Sequence, residues 1–454
     1  MEKEAQKNRE QFSTRIGFIF AAAGSAVGLG NIWKFPYLAG ANGGGAFVLV
    51  YLFCVVILGS SLMLMEMALG RNTQLSTMGA YRKLDKRFTF IGIIGVTAAF
   101  LIMGYYPVVG GWSIAYFFKT LIGELSISDS GALGEIFGTF VTGSWAPIFW
   151  TLVYMALNIV VVIGGIQRGI EKASKIMMPA LFIVIIILAI RSVTLPGARA
   201  GLEFLFAPDW SKLSGKVMLA ALGQTFFSLS LGMGCMITYA SYLSKSENLV
   251  SNCIIIPALD TSVAILAGVV IIPAAVAFGF EVGQGPGLVF ATVPAIFATM
   301  GPVIGRIFGL LFFLLVALAA LTSSISLLEV VVSFFIDEKG YTRKKAVVIS
   351  STVGTIMCIA ASLSMGAWSG FTIFGKNIFD ILDYVASYIC LPLGGMFVSI
   401  FVGWFWSKNN AYNEVTNEGT IKFKMFNVWF FMCKWVFPII IFLIFLSGVG
   451  VIKI

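Results

Sequence analysis

The sequence predicts an all-α integral membrane protein of eleven spans, and three observations carry that prediction. Hydrophobic residues make up 59% of the 454-residue chain and charged residues only 11%, whereas a soluble domain holds about 25% charged residues. Apolar runs recur along the whole length, each near the roughly 20 residues that a helix needs to cross a hydrocarbon core of about 30 Å. Lys and Arg gather in alternate short segments between the runs, as cytoplasmic loops require.

The runs place spans at 15–38, 44–70, 89–123, 147–165, 170–194, 216–243, 252–279, 303–336, 345–365, 378–406 and 425–452. Met1 to Phe12 is polar and lacks the basic head and short apolar core of a removable signal peptide. Lys3, Lys7, Arg9 and Arg15 precede the first span, and Arg71, Arg82, Lys83, Lys86 and Arg87 follow the second, so both groups belong inside. The segment after the third span carries Glu124, Asp129 and Glu135 without a basic residue and belongs outside. Arg343, Lys344 and Lys345 fall on an inner loop, and 407–424, with Asn409, Asn410, Asn413, Asn417 and Gly419, reads as a polar inner linker. An odd span count then puts the N-terminus in the cytoplasm and the C-terminus outside, in the cell's inner (plasma) membrane. This topology accounts for the net charge of +9 without a nucleic-acid partner.

Six cysteines stand singly with no CxxC pair, which argues against a disulfide framework or a thiolate metal site. Histidine is absent, which removes the usual proton shuttle and the commonest metal ligand.

The first span contains Gly24-Ser25-Ala26-Val27-Gly28-Leu29-Gly30-Asn31 near mid-membrane, and the sixth contains Phe227-Ser228-Leu229-Ser230-Leu231-Gly232-Met233-Gly234. Glycine costs a helix interior about 1 kcal/mol relative to alanine. Unwound backbone survives at membrane depth only around a cavity or ligand. Close helix packing through Gly24 and Gly28 is the plainer alternative for either segment alone. The two segments lie five spans apart, however, at matching places in spans 1–5 and 6–10, as an inverted repeat with a midplane site would have them. The chain then divides into 1–14, a first five-helix unit at 15–194, an outer connection at 195–215, a second unit at 216–406, the linker 407–424 and a last span within 425–454.

Gly24-Ser-Ala-Val-Gly-Leu-Gly-Asn-Ile-Trp-Lys-Phe-Pro-Tyr37, followed by Asn42-Gly-Gly-Gly-Ala-Phe47, closely resembles the neurotransmitter:sodium symporter family, of which LeuT is a bacterial member. Gln224 to Gly234, Thr322-Ser323-Ser324 and Phe379-Asp-Ile-Leu-Asp383 match further signatures in order. The resemblance covers nearly the whole chain and implies a LeuT-type inverted repeat of two five-helix units plus one extra helix. Many members have twelve spans, and this chain departs from them in stopping at eleven.

The resemblance also implies sodium-coupled symport with two ions. One ion would meet the Ala26 carbonyl, Asn31, Ser228, Asp260 and the cargo carboxylate. The second would sit among the carbonyls of Gly24, Val27 and Ala319 and the hydroxyls of Thr322 and Ser323. For those two hydroxyls alone, a bond back to their own helix is the plainer reading. Asp260 stands where relatives usually carry an amide, in a pocket of Tyr51, Gln224, Ser228 and Ala264 that would otherwise take chloride. A fixed carboxylate replaces that charge, so no chloride is expected. Glu66 resembles the family glutamate that braces the broken helices, and Glu329 is a second buried acid in need of a partner.

Gly28 replaces the aspartate of monoamine carriers, which implies a cargo bearing its own carboxylate. That group would lie on the Gly28 and Gly30 amides with a bond from Tyr106, and its ammonium on carbonyls around Ser25, Phe227 and Ser230. Ile102, Tyr106, Phe227, Met233, Ser323 and Leu327 line a mainly apolar side-chain pocket, so a small hydrophobic or aromatic amino acid is expected; a betaine or omega-amino acid is the alternative. Lys34 with Asp383 would close the outer side, and Arg9 with Asp337, Phe12 and Tyr242 the inner side. A channel would need a continuous charged or carbonyl-lined pore, and an enzyme a nucleophile–base pair or metal cluster; neither pattern is present. The expected state is a monomer or weak homodimer in the lipid bilayer.

Overall fold

The computed structural model describes residues 9–280 and 285–452. Lys3 and Lys7, which helped to orient the first span, lie outside the described residues. Among these residues the regular structure is helical, with two isolated bridges, Gly44 to Pro208 and Ile373 to Lys376.

In chain order the helices are α1 Arg15–Ala26, α2 Gly30–Ala41, α3 Gly45–Thr73, α4 Thr77–Leu84, α5 Lys86–Ile122 and α6 Ser130–Thr142. They continue with α7 Ala146–Ile163, α8 Ile166–Val193, α9 Ala198–Phe206, α10 Gly215–Ser228, α11 Cys235–Ala240 and α12 Leu249–Phe278. The last are α13 Leu288–Thr299, α14 Ile304–Lys339, α15 Arg343–Leu363, α16 Ile378–Phe405, α17 Lys408–Val415 and α18 Phe426–Gly448. Among the described residues nine helices are continuous, long and apolar enough to cross a membrane: α3, α5, α7, α8, α12, α14, α15, α16 and α18. The pair α1 and α2 forms one further apolar passage, bent by 54° at its break.

The stretch expected as the sixth span is divided into the 14-residue α10 and the 6-residue α11. Between them Ser230, Gly232 and Gly234 take φ of 53°, 80° and 76°. A right-handed helix cannot run through a left-handed residue, and glycine is the residue that adopts that region without steric cost. At Gly232 a side chain is excluded twice, because a Cβ there would also meet the Leu391 carbonyl. The first break begins where Val27 leaves the helical region at ψ 108°.

Helix α1 packs against α8, α12 and α14, and α14 packs closely against α5. The outer connection 195–215 contains α9, which lies on α12. The expected polar linker 407–424 is likewise not featureless, since it forms α17. The physical reason is Arg71, only 1% exposed at the end of α3. A buried guanidinium needs acceptors, and Glu414 of α17 accepts from Arg71 Nε at 2.7 Å and from Asn72 Nδ2 at 2.8 Å. Further Arg71 donors meet the carbonyls of Glu247 and Glu414.

Candidate functional site: a cavity between two broken helices

The two breaks face each other and are tied by side chains. Ser230 Oγ donates to the Ser25 carbonyl at 2.8 Å, and Gln224 Nε2 donates to the Gly30 carbonyl at 2.9 Å. Glu66 Oε1 accepts from the Gly232 amide at 2.7 Å, so this buried acid braces the second break. Its other oxygen has no hydrogen-bond partner among the described residues.

Between the breaks lies a narrow cavity of about 30 Å³, far below the usual range for ligand pockets of about 300–1,000 Å³, so the walls lie close together in this structure. The ten residues named above for the cargo line it, from Ser25 on α1 to Leu327 on α14, together with Ala26 and Ser228, which are expected to touch both the cargo and the first ion. Leu29 lines it too and was not anticipated; its amide donates to Tyr106 Oη at 3.2 Å. A backbone amide carries no signal in residue identity, which is why sequence reasoning passed over it.

The Gly28 amide, expected to meet the carboxylate, donates in this structure to Asn31 Oδ1 at 3.0 Å. Gly28 instead supplies room. A Cβ there would lie 2.6 Å from Ser323 Oγ and 2.8 Å from Tyr106 Oη.

Two oxygen clusters flank the cavity. In the first, Asn31 Nδ2 donates to Asp260 Oδ1 at 2.8 Å, to the Asp260 carbonyl at 3.1 Å and to Ser228 Oγ at 3.0 Å. Ser228 Oγ donates to Asp260 Oδ2 at 2.7 Å, and Tyr51 Oη approaches Ser228 Oγ at 3.4 Å. Ala26 lines the cavity beside this cluster. Asp260 is fully buried well inside α12 rather than at a loop-facing span start. It forms no ion pair among the described residues.

In the second cluster, Thr322 Oγ1 stands 3.0 Å from the Ala319 carbonyl, 3.2 Å from that of Leu318 and 3.5 Å from that of Val27. Ser323 Oγ stands 3.0, 3.3 and 3.3 Å from the carbonyls of Val27, Gly24 and Ala319. The back-bond to their own helix is therefore present, and contacts to the broken helix accompany it. Each hydroxyl has one proton to share among three carbonyls. Together the two hydroxyls and the carbonyls of Gly24, Val27 and Ala319 bring five oxygens of two helices close together. Among the described residues no three His, Cys, Asp or Glu side chains form a metal cluster; carbonyls and hydroxyls of this kind suit a hard ion.

The inner and outer contacts are unlike. Arg9 Nη1 donates to Asp337 Oδ2 at 2.7 Å and Oδ1 at 2.9 Å, while Nη2 donates to Ser241 Oγ at 2.9 Å. The guanidinium lies 4.6 Å above the Tyr242 ring, and the Phe12 amide donates to the Tyr242 carbonyl at 3.1 Å. Glu329 belongs to this inner side: it accepts from Tyr242 Oη at 2.7 Å and pairs with Arg343. On the outer side Lys34 and Asp383 do not pair. Lys34 Nζ sits 4.3 Å from the centre of the Phe227 ring, and Asp383 Oδ1 accepts from Tyr105 Oη at 2.7 Å and Ser387 Oγ at 2.8 Å. The expected ion pair is replaced because the lysine, a single point donor, is occupied by the ring and the aspartate by hydroxyls.

The family model described as the sodium:neurotransmitter symporter family matches residues 9–133 and 142–453. The chain belongs to this family. The uncharacterized sodium-dependent transporter YhdH of Bacillus subtilis (strain 168) is 39% identical over 449 residues, covering 98% of each chain. An uncharacterized sodium-dependent transporter of Haemophilus influenzae is 38% identical over 456 residues, covering 97% of this chain and 98% of its own. The crystal structure of MhsT in complex with L-phenylalanine is 43% identical, with a TM-score of 0.88 over 97% of this chain and 100% of that one. As a sodium:neurotransmitter symporter family member, the protein is a sodium-dependent, multi-pass membrane transporter with the LeuT fold.

Proposed function

We propose that this protein uses the sodium gradient to carry a small hydrophobic or aromatic amino acid into the cell by alternating access. The observation that carries this reading is the small cavity flanked by two oxygen clusters, with single protons shared among several carbonyls in one and a buried aspartate without a basic partner in the other. A cation completes both. The cavity's apolar wall of Ile102, Phe227, Met233 and Leu327 suits an uncharged side chain. The complex of MhsT with L-phenylalanine supports a cargo of this class. A carboxylate would meet the Gly30 amide, and would take over the Leu29 amide and the Tyr106 hydroxyl by opening the bond between them.

Two sodium ions enter with each zwitterion on this reading, through eleven passages arranged as two five-helix repeats and one extra helix. The N-terminus lies in the cytoplasm of the plasma membrane and the C-terminus outside. Moving one charge through 100 mV yields about 2.3 kcal/mol, and a tenfold gradient requires about 1.4 kcal/mol. The potential on two ions thus sustains roughly a thousandfold accumulation.

Asp260 supplies the negative charge beside the first ion, so transport proceeds without chloride. Uptake of labelled amino acids into proteoliposomes, with sodium against choline and with or without chloride, tests the reading. Sodium-driven accumulation independent of chloride is expected, and Asp260→Asn is expected to lose at least tenfold in chloride-free uptake and to regain much of it in chloride. Accumulation indifferent to sodium would remove both ion sites. Stronger competition by betaine or an omega-amino acid than by leucine or tyrosine would replace the cargo.

A further inference from the structure

Ser324 stands beside the two hydroxyls assigned to the second sodium, yet it touches neither the cavity nor that oxygen cluster. Its Oγ lies 2.6 Å from Asn158 Oδ1 and 2.9 Å from Tyr154 Oη, both on α7, and 3.1 Å from the Leu321 carbonyl of its own helix. The directions of these bonds follow from counting protons. Asn158 Nδ2 donates to the Tyr154 carbonyl at 3.0 Å, which orients the amide and leaves Oδ1 as acceptor. Ser324 then gives its one proton to Asn158, and Tyr154 gives its proton to Ser324. The three side chains are 0–2% exposed. Tyr154 reaches α14 because α5 presents Gly110 where a Cβ would enter the tyrosine ring.

We infer that Tyr154, Ser324 and Asn158 are positioning residues for the second sodium, fixing the rotation of α14 about its own axis. This inference rests on the sodium reading above. Successive helical residues are about 100° apart, so a peg at Ser324 fastens one side of α14 to α7 while Thr322 and Ser323 face the first break on α1. Side-chain oxygens lie beyond the Cα radius of about 2.3 Å, and a rotation of about 15° moves them by about 1 Å. That displacement exceeds the roughly 0.5 Å within which a binding constellation must be held.

The test is ²²Na⁺ binding to the purified full-length protein, titrated without amino acid so that the carboxylate completing the first site is absent. Ser324→Ala and Asn158→Leu are each expected to raise the half-saturating sodium concentration about tenfold, the usual lower cost of losing an outer-shell partner. The double variant should be no worse than either single one, and Ser324→Thr, which keeps the hydroxyl, should stay within about twofold of the unmodified protein. Size-exclusion profiles and thermal midpoints in saturating sodium separate this from a folding defect. A titration that superimposes on that of the unmodified protein, or a shift seen only in variants that lose monodisperse protein, overturns the inference. Thr322→Val is the control for the underlying reading: if it too leaves sodium binding unchanged, the site itself is misassigned, whereas a loss there with no change at Ser324 rejects only the peg.

Discussion

On the inner side of the cavity Arg9 meets one carboxylate through two contacts, at 2.7 and 2.9 Å, whereas on the outer side Lys34 meets no carboxylate and rests on the Phe227 ring. The inner contact is directional, largely buried and joined to its surroundings: Asp337 also accepts from the Ser76 amide, and Tyr242 reaches back to Glu329. The outer contact has a single point charge on a flexible stem over a ring face, which leaves the vestibule lined by Lys34, Tyr37, Phe227 and Tyr388 above it. Nη1 shares its contacts between both Asp337 oxygens while Nη2 is held by Ser241, so the guanidinium is fixed at two points, whereas a cation over a ring tolerates rotation and sliding. The Arg9 end of the molecule is thus held by an ion pair and the Lys34 end by a cation over a ring.

Breaking the inner ion pair should have the largest effect. Removing one partner of a buried ion pair costs about 3–5 kcal/mol because the other charge stays buried. The Arg9 and Asp337 side chains retain 12% and 10% of their exposure, which favours the lower end. Arg9→Ala should therefore shift the resting population toward the inward-open state by about a hundredfold. Thiol labelling of Ser13→Cys, introduced at the inner mouth, should accelerate accordingly, while sodium-driven uptake falls at least tenfold. Unchanged labelling would show that the aromatic contacts of Phe12 close the inner side without the ion pair.

Loosening the outer contact should do less. Lys34→Met removes a cation–π contact worth about 0.5–2 kcal/mol. Labelling of a cysteine placed at Leu219, in the vestibule, should rise by about two- to thirtyfold, with inner labelling unaffected. An effect as large as that of Arg9→Ala would mean that Lys34 pairs with Asp383 during the cycle, and the contrast between the two sides would then belong to this state alone.

The difference between the closures also marks what could be read from the residues. The helix breaks were legible because glycine and serine stand where lipid demands an unbroken apolar helix, and Asp260 and Glu66 because a carboxylate there requires a partner. Arg9 with Asp337 also follows from family resemblance. The occupied Gly28 amide, the Leu29 amide and the Lys34 perch on Phe227 were not legible, since each depends on backbone direction or rotamer rather than residue type. Helix α17 was hidden for a related reason: its asparagine-rich surface reads as linker, and only the distant Arg71 explains why Glu414 is drawn in.

The smallest and most discriminating change is Lys34→Arg. Asp383 Oδ1 already accepts two hydroxyl protons, while no hydrogen bond reaches Oδ2 among the described residues. A lysine drawn to that oxygen would leave the ring, but a guanidinium can stack on Phe227 while its planar fork addresses a carboxylate. If the outer side is weak only because residue 34 offers a point donor, arginine should slow vestibule labelling by about two- to fivefold, the effect of one half-buried ion pair worth about 1 kcal/mol. Added salt should reverse only part of that gain, since partly buried charges are screened less than exposed ones. Labelling that is unchanged at low salt would place the weakness in Asp383, held back by Tyr105 and Ser387, and Tyr105→Phe in the Lys34→Arg background should then release it.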